Sequence, residues 1–311
     1  MIKNGTHKKK ILIIQARPGI GDMCVFFPCI KEIGKKYYDY DLHILTKKRS
    51  CAKELLKNEK SIKKIIYLPK AKGLNFNYQI FKVLKKEKYR ICFIMHYSLR
   101  YYLIAILARV NRIFSYGIFK KNENIVKKSQ IATRQWLNKK RILFDPIINF
   151  RANNKINNQI SIGIGGSGKN KKWAVEKYIK LIKMIIKKRK DVKILLAGGK
   201  NEIFDAKQIK QSLGINGKNI KTTCDLNIEH AIKSLSYSKL YIGNDTGFMH
   251  ISGSMGLKTF GLFGDTPTNY SSYNKKIVPI TPNDKKNISH GSKMMSKIVP
   301  EFVFNKIKKY L

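Results

Sequence analysis

Short runs of apolar residues alternate along the first half of the chain with segments whose apolar residues recur at helical intervals. The runs have the length and composition of buried strands and lie at residues 11–16, 42–46, 64–68 and 89–96. The helical segments lie at residues 23–37, 52–57, 80–88 and 101–110. Repeated strand–helix units of this kind predict a parallel sheet with helices on both faces.

The same alternation continues in the second half. Predicted strands lie at residues 160–164, 192–197 and 240–242, and predicted helices at 175–190, 228–236 and 299–310. Between the halves, residues 144–159 form a polar, turn-rich stretch that contains Asp145-Pro146. We therefore predict an α/β protein with two domains, each built from strand–helix units. The boundaries fall at residues 1–150 and 156–295, and residues 296–311 form a final segment.

The composition is strongly basic. The 311 residues carry 64 Lys and Arg against 19 Asp and Glu, a formal net charge of +45. Most of the cations are lysines spread through every segment, whereas proteins that read bases rely on arginine forks. No nucleic-acid partner is expected, and the charge fits either a bias of composition or attraction to anionic membranes and phosphorylated acceptors.

The cysteines indicate the compartment. Five cysteines lie mostly in apolar segments without a Cys-x-x-Cys pair, which argues for a reducing compartment without disulfides or a zinc site. No secretory signal is evident, and the best membrane candidate, residues 91–110, is interrupted by His96, Arg100 and Arg109. A cytoplasmic protein is expected, either free or peripheral on the inner face of the inner membrane.

A glycine-rich turn after the strand at 240–242 is the strongest candidate site. Asp245, Thr246 and Gly247 open the next helix, and His250 lies one turn later on the same face. A helix start offers free N–H groups and a positive dipole end, which suit a diphosphate. The alternative is that Asp245 or Thr246 only caps the helix and that His250 only packs.

Asp22 is the candidate base. It follows Gly21 between the first predicted strand and helix, at the edge of the sheet where ligands bind. The alternative role is a helix N-cap. A second acidic motif, Asp39-Tyr40-Asp41, has the form of a metal-binding Asp-x-Asp, but its Tyr- and Lys-rich turn is the wrong setting, so no metal is predicted.

Two further turns follow strands of the second half. The first contains Ser167, Gly168 and Lys172, with Trp173 next, and its glycines, hydroxyl and lysines could hold a phosphate or form a solvated linker. The second contains Gly199 and Glu202. Leu226, before the helix at 228–236, is either an ordinary core residue or a ligand contact.

These motifs together resemble glycosyltransferase family 9, the lipopolysaccharide heptosyltransferases. The resemblance rests on Asp245-Thr246-Gly247-x-x-His250, on Gly-x-Ser167 followed by Lys172-Trp173, and on Gly21-Asp22 with Pro28 in helix one. It covers essentially the whole chain. Ala174 stands where the family commonly has proline, which weakens the helix start but not the lysine's chemistry.

The resemblance implies a GT-B fold, with two Rossmann-like domains facing across a cleft and the final helix crossing back to the first domain. The first domain would take a glycan or lipid-linked glycan acceptor. The second would bind a nucleotide sugar, most readily ADP-heptose.

The implied reaction is an inverting displacement that needs neither metal nor cofactor. In it Asp22 is the catalytic base, while Lys172, Thr246 and Gly247 stabilise the departing diphosphate and His250 supports them. The implied donor-binding residues are Ser167, Gly168, Lys172, Gly199, Glu202, Leu226, Asp245, Thr246, Gly247 and His250. Two alternatives remain: a non-catalytic nucleic-acid-binding protein, which the charge would explain, and a GT-B-type nucleotide-sugar epimerase, which would share the donor site.

Overall fold

The computed structural model describes residues 8–117, 123–150, 158–166, 168–285 and 287–311. The chain divides into two compact units, Met1–Asp145 and Pro146–Leu311. The division falls at the predicted Asp145-Pro146 break, a few residues before the expected end of the first domain. The chain after Pro146 already belongs to the second unit, since the N–H of Ile148 donates to the carbonyl of Ser254 at 2.7 Å.

The first unit is built on a five-stranded parallel sheet in the order β3-β2-β1-β4-β5. The strands are β1 (Lys10–Gln15), β2 (Asp41–Thr46), β3 (Ile62–Tyr67), β4 (Ile91–Ile94) and β5 (Arg112–Ser115). The helices are α1 (Ile20–Lys36), α2 (Ala52–Leu55), α3 (Gly73–Glu87), α4 (Leu99–Leu107) and α5 (Ile125–Trp136).

Helices cover both faces of this sheet because its central strands are apolar on both sides. Leu12 and Ile14 of β1 join a buried cluster with residues of α3 and α4. On the other face α1 packs against α5, and Phe93 of β4 lies 5.7 Å from Trp136 of α5 between ring centroids. The first unit is therefore doubly wound, as predicted.

The second unit is built on a six-stranded parallel sheet in the order β11-β10-β9-β6-β7-β8. The strands are β6 (Gln159–Gly163), β7 (Lys193–Ala197), β8 (Lys221–Thr222), β9 (Leu240–Asn244), β10 (Lys258–Leu262) and β11 (Ile277–Ile280). The helices are α6 (Val175–Lys188), α7 (Ile203–Ser212), α8 (Ile228–Ser236), α9 (Gly247–Ser254) and α10 (Pro300–Ile307). Counted within the unit, this is the 3-2-1-4-5-6 order of dinucleotide-binding domains.

The final segment belongs to the second unit. Val303 and Ile307 of α10 are fully buried in the cluster that contains β6, β7 and α6, and α10 packs directly against α6. The structure thus groups residues 296–311 with the domain from which the sequence analysis separated them. That the final helix crosses to the first domain stays a prediction.

Two helices begin earlier than predicted. The first starts at Ile20 instead of residue 23, and the third starts at Gly73 instead of residue 80. The first turn of α3 is exposed, and that of α1 contains only one apolar side chain before Met23, so the apolar period that marks a helix is absent from both. The shift in α1 moves Asp22 from the loop into the helix.

No helix in the described part of the chain combines the length and apolar character needed to cross a bilayer.

Candidate active site

The candidate residues of the second unit follow neighbouring parallel strands at their carboxyl ends. The order of strands reverses between β6 and β9, and connections on either side of such a point diverge to leave a crevice. The loop before α6, with Lys172, follows β6, and the turn with Asp245, Thr246 and Gly247 follows β9. The sequence therefore places its two strongest motifs at the position where open α/β sheets bind ligands.

Lys172 and Glu202 are brought together. Nζ of Lys172 lies 2.8 Å from Oε1 of Glu202 and 3.2 Å from Oδ2 of Asp205, a residue of the first turn of α7. The other oxygen of Glu202, Oε2, accepts a 2.9 Å hydrogen bond from the N–H of Gly199. Three predicted residues thus form one cluster, and Asp205 is an addition that the sequence analysis missed.

The charge of Lys172 is held in place by these carboxylates. Partial burial works against the charged form, but the hydrogen bonds to Glu202 and Asp205 raise the pKa of Lys172 above its ordinary value. The lysine therefore stays protonated at neutral pH.

Asp245, His250 and Tyr273 form a second cluster. Nε2 of His250 lies 3.4 Å from Oδ1 of Asp245, and Nδ1 lies 3.0 Å from the hydroxyl of Tyr273. Burial would raise the pKa of Asp245, but hydrogen bonds from His250 and Thr266 and the nearby charge of Lys171 lower it overall. His250 is buried and contacts a polar group through each of its ring nitrogens. Simple packing, the alternative role considered for it, does not explain these two contacts.

Thr246 and Gly247 mark the start of α9. Thr246 is the N-cap residue, yet its side chain makes no capping hydrogen bond to the described first turn. The simple capping role therefore does not account for Thr246. Gly247 is the first helical residue, so the backbone N–H groups of this turn are available to an anion.

Asn244 joins the two motif loops. Its side chain is completely buried at the end of β9, where Oδ1 accepts from the N–H of Trp173 at 3.2 Å and Nδ2 donates to the carbonyl of Gly165 at 2.7 Å. The indole of Trp173 donates in turn to the carbonyl of Ile298 at 2.9 Å. These bonds fix the backbone next to Lys172. A polar residue closing an apolar strand was the only sequence signal for this role.

Asp22 lies in the first turn of α1 in the first unit. Its Oδ2 accepts from the N–H of Gly19 at 3.0 Å, and its Oδ1 lies 2.5 Å from Nε of Arg17. The carboxylate thus supports the helix start from the third position, and Gly19, not Asp22, is the N-cap residue. About a fifth of its side chain, 22%, remains exposed.

The remaining predicted residues differ in their settings. Gly168 is exposed and has a φ of +112°, which a residue with a side chain rarely adopts. Leu226 is 41% exposed and is not an ordinary core residue. Ser167 lies outside the described residues. Within the described ranges, no three or more His, Cys, Asp or Glu side chains form a group that could hold a metal ion.

Comparison with known proteins decides the family. The model of glycosyltransferase family 9 (heptosyltransferase) matches residues 124–300, which is more than half of the chain. The chain belongs to glycosyltransferase family 9. The predicted family is thereby confirmed, and the match includes every candidate donor-site residue from Ser167 to His250.

A curated relative in this family is lipopolysaccharide heptosyltransferase 1 of Campylobacter coli. The two are 30% identical over 128 residues, which make up 41% of this chain and 37% of the relative. The chain thus matches little more than a third of that relative's length.

Solved structures of the family share the fold. The ADP-heptose lipopolysaccharide heptosyltransferase II of E. coli superimposes with a TM-score of 0.78 at 14% identity, over 96% of this chain and 98% of that chain. The E. coli heptosyltransferase WaaC with ADP-2-deoxy-2-fluoro heptose gives a TM-score of 0.74 at 13% identity, over 97% and 100%. These likenesses confirm the predicted GT-B-type α/β fold.

Proposed function

We propose that this family 9 chain is an inverting glycosyltransferase that moves a sugar from a nucleoside-diphosphate donor to a lipopolysaccharide-type or other glycan acceptor. ADP-heptose is the proposed donor, because one similar structure is named for an ADP-heptose enzyme and another carries an ADP-heptose analogue. Family membership favours sugar transfer over the nucleic-acid-binding and epimerase alternatives.

One observation carries the proposal: a protonated lysine and the start of a helix follow two neighbouring strands at the same edge of the sheet. Lys172 after β6 and the turn at Gly247 after β9 are tied to the same buried side chain, that of Asn244, through Trp173 and the strand end. A lysine ammonium and free backbone N–H groups at one sheet edge are the groups that stabilise a departing diphosphate. Glu202 and Leu226 are proposed to contact the ribose and the base.

Asp22 is proposed as the general base. A carboxylate offers about four lone-pair directions, and the bonds from Gly19 and Arg17 occupy two of them. A remaining lone pair of Asp22 takes the proton of the acceptor hydroxyl. As it does so, the hydroxyl oxygen attacks the anomeric carbon of the donor sugar. The bond from that carbon to the diphosphate breaks, and the nucleoside diphosphate leaves with the electron pair.

We propose a cytoplasmic location, with the chain resting on the inner face of the membrane that carries a lipid-linked acceptor. Five free thiols fit a reducing compartment. The net charge of +45 fits an anionic surface.

A thermal-shift panel tests the donor. A ligand at 100 times its Kd adds about 2.7 kcal/mol of stability, so ADP-heptose should raise the melting temperature by several degrees. UDP-, GDP- and CMP-sugars serve as the comparison set, and adenosine without phosphates as the control. A panel in which ADP-heptose has no effect would contradict the proposed donor.

A further inference from the structure

One helix of the first unit presents a hydrophobic face to solvent. Leu99, Leu103, Ile106 and Leu107 of α4 are 47–66% exposed, and we call these four residues the α4 outer face. Their spacing places them on one side of the helix. The opposite side, with Tyr101, Ile104 and Ala105, is buried against the sheet. Among the described residues, the packing of α4 in the unit therefore leaves four large apolar side chains exposed.

The chain's general composition does not explain this face. The outer side of α6, a helix of the second unit, is made of charged residues, and Glu176, Lys180, Lys183, Lys187 and Lys188 are all exposed there. A lysine-rich chain can thus cover a helix with charge, and α4 lacks that cover. Contiguous exposed apolar surface of this kind marks an interaction site.

The neighbouring helix also exposes large apolar side chains. α3 packs against α4, and Leu74 and Tyr78 of α3 are 86% and 58% exposed. The guanidinium of Arg100 on α4 lies 5.5 Å from the ring of Phe76 on α3, so the starts of the two helices are adjacent.

The surroundings are cationic. No Asp or Glu occurs in the sequence from residue 88 to residue 122, and Arg100, Arg109 and Arg112 of this stretch are exposed. An apolar strip bordered by arginines has the composition of a helix that lies in the interface of an anionic bilayer. Two copies of this face would bring their arginines together, which opposes self-association.

We propose that the α4 outer face is the surface by which this protein docks on an anionic phospholipid bilayer. The leucines and Ile106 enter the headgroup–acyl boundary, and the arginines contact lipid phosphates. The inference deepens the proposed function and rests on it, because a lipid-linked acceptor would be held in the same bilayer to which the α4 outer face binds.

The test is cosedimentation with vesicles, because it requires no sugar transfer. The full chain should bind mixed phosphatidylcholine–phosphatidylglycerol vesicles, and added salt should weaken the binding. Leu103→Glu and Leu107→Glu should each lower the partition coefficient about tenfold or more, since each replaces a buried aliphatic contact by a charge. Both residues are exposed, so the variants should keep the wild-type circular dichroism spectrum.

The matched control is Ile215→Glu, which makes the same change in charge at a residue of the second unit that is 78% exposed. It should bind vesicles almost as the wild type does.

Three outcomes would overturn the proposal. Two of them are equal losses of vesicle binding in all three variants and a wild type that does not bind anionic vesicles. The third is a dimer in light scattering that Leu103→Glu dissociates, because the face would then cover a second copy. Transfer to a water-soluble acceptor fragment, measured in parallel, separates a failure of docking from a failure of the proposed reaction.

Discussion

The ammonium of Lys172 lies 2.8 Å from the carboxylate of Glu202, at the edge of the second sheet where the donor phosphates are proposed to bind. A second carboxylate, that of Asp205, approaches the same ammonium at 3.2 Å. The lysine is thus oriented before any ligand arrives, and the donor must share it with two carboxylates. Substitution of the lysine and substitution of Asp205 should therefore change the affinity for the donor in opposite directions.

Replacement of Lys172 by alanine should weaken binding of ADP by about 1.5–3 kcal/mol, the usual worth of a hydrogen bond to a charged group. Calorimetry measures the change. Lys183→Ala, on the exposed side of α6, is the matched control and should bind ADP normally. Unchanged affinity in the Lys172 variant would remove this residue from the donor site.

Asp205→Asn should have the opposite effect. Its carboxylate competes with phosphate for Lys172 and repels it, so the neutral amide should tighten ADP binding by up to about fivefold, in the range of a partly exposed ion pair. Adenosine, which has no phosphate, should bind both proteins equally. Weaker ADP binding in this variant would show that Asp205 supports the nucleotide directly.

The alternation of apolar strands and helical segments predicted a parallel sheet covered by helices, because buried parallel strands are apolar along their whole length. That both domains are Rossmann-like was implied by the family resemblance. The start of α1 was predicted too late, since Ile20 and Gly21 precede any apolar period. Asp22 was therefore predicted in a loop.

Residues of the candidate site could be predicted from the sequence only where they belong to a local motif. Lys172, Asp245 and His250 lie within such motifs. Asp205 and Tyr273 reach the site from separate elements. Asn244 directly precedes the motif at Asp245, but its role depends on tertiary contacts with Gly165 and Trp173 that a local pattern does not encode.

The turn at Gly247 gives a test of the helix start. A side chain at this first residue of α9 should block the approach of a diphosphate to the backbone N–H groups, while the fold survives. We expect Gly247→Val to abolish ADP binding with a native circular dichroism spectrum. The control is Gly73→Val, which adds a side chain in open space at the first residue of α3 in the first unit, although its φ of +56° will cost some stability. Full ADP affinity in Gly247→Val would show that the turn faces elsewhere.

Glu87 predicts a pH dependence of stability. The hydrogen bonds from Lys10 and Lys64 lower the pKa of Glu87 from 4.5 to about 2. The stabilisation is present above the ordinary pKa and is lost as the pH falls through about 2, because the protonated acid no longer pairs. Glu87→Gln should lower the free energy of unfolding by about 0.5–1 kcal/mol at neutral pH, given the partial exposure of the pair.

Urea unfolding at a series of pH values measures this difference between wild type and Glu87→Gln. The difference should shrink as the pH falls below 4.5. Glu176→Gln, at an exposed position on α6, is the control. A difference in unfolding free energy that stays constant down to about pH 2 would contradict the stabilising role of the ion pairs of Glu87 with Lys10 and Lys64.

The turnover of Asp22→Asn tests the proposed reaction most directly. Asparagine can still accept the hydrogen bond from Gly19, and loss of the Arg17 pair should cost at most about 1 kcal/mol of stability. Transfer from ADP-heptose to a matched acceptor is measured beside a melting curve and an ADP isotherm, with Asp39→Asn as the control. If Asp22 is the base, turnover should fall about 10²–10⁴-fold while ADP affinity and folding hold. Wild-type turnover in Asp22→Asn would contradict the account and leave Asp22 with only its contacts at the start of α1.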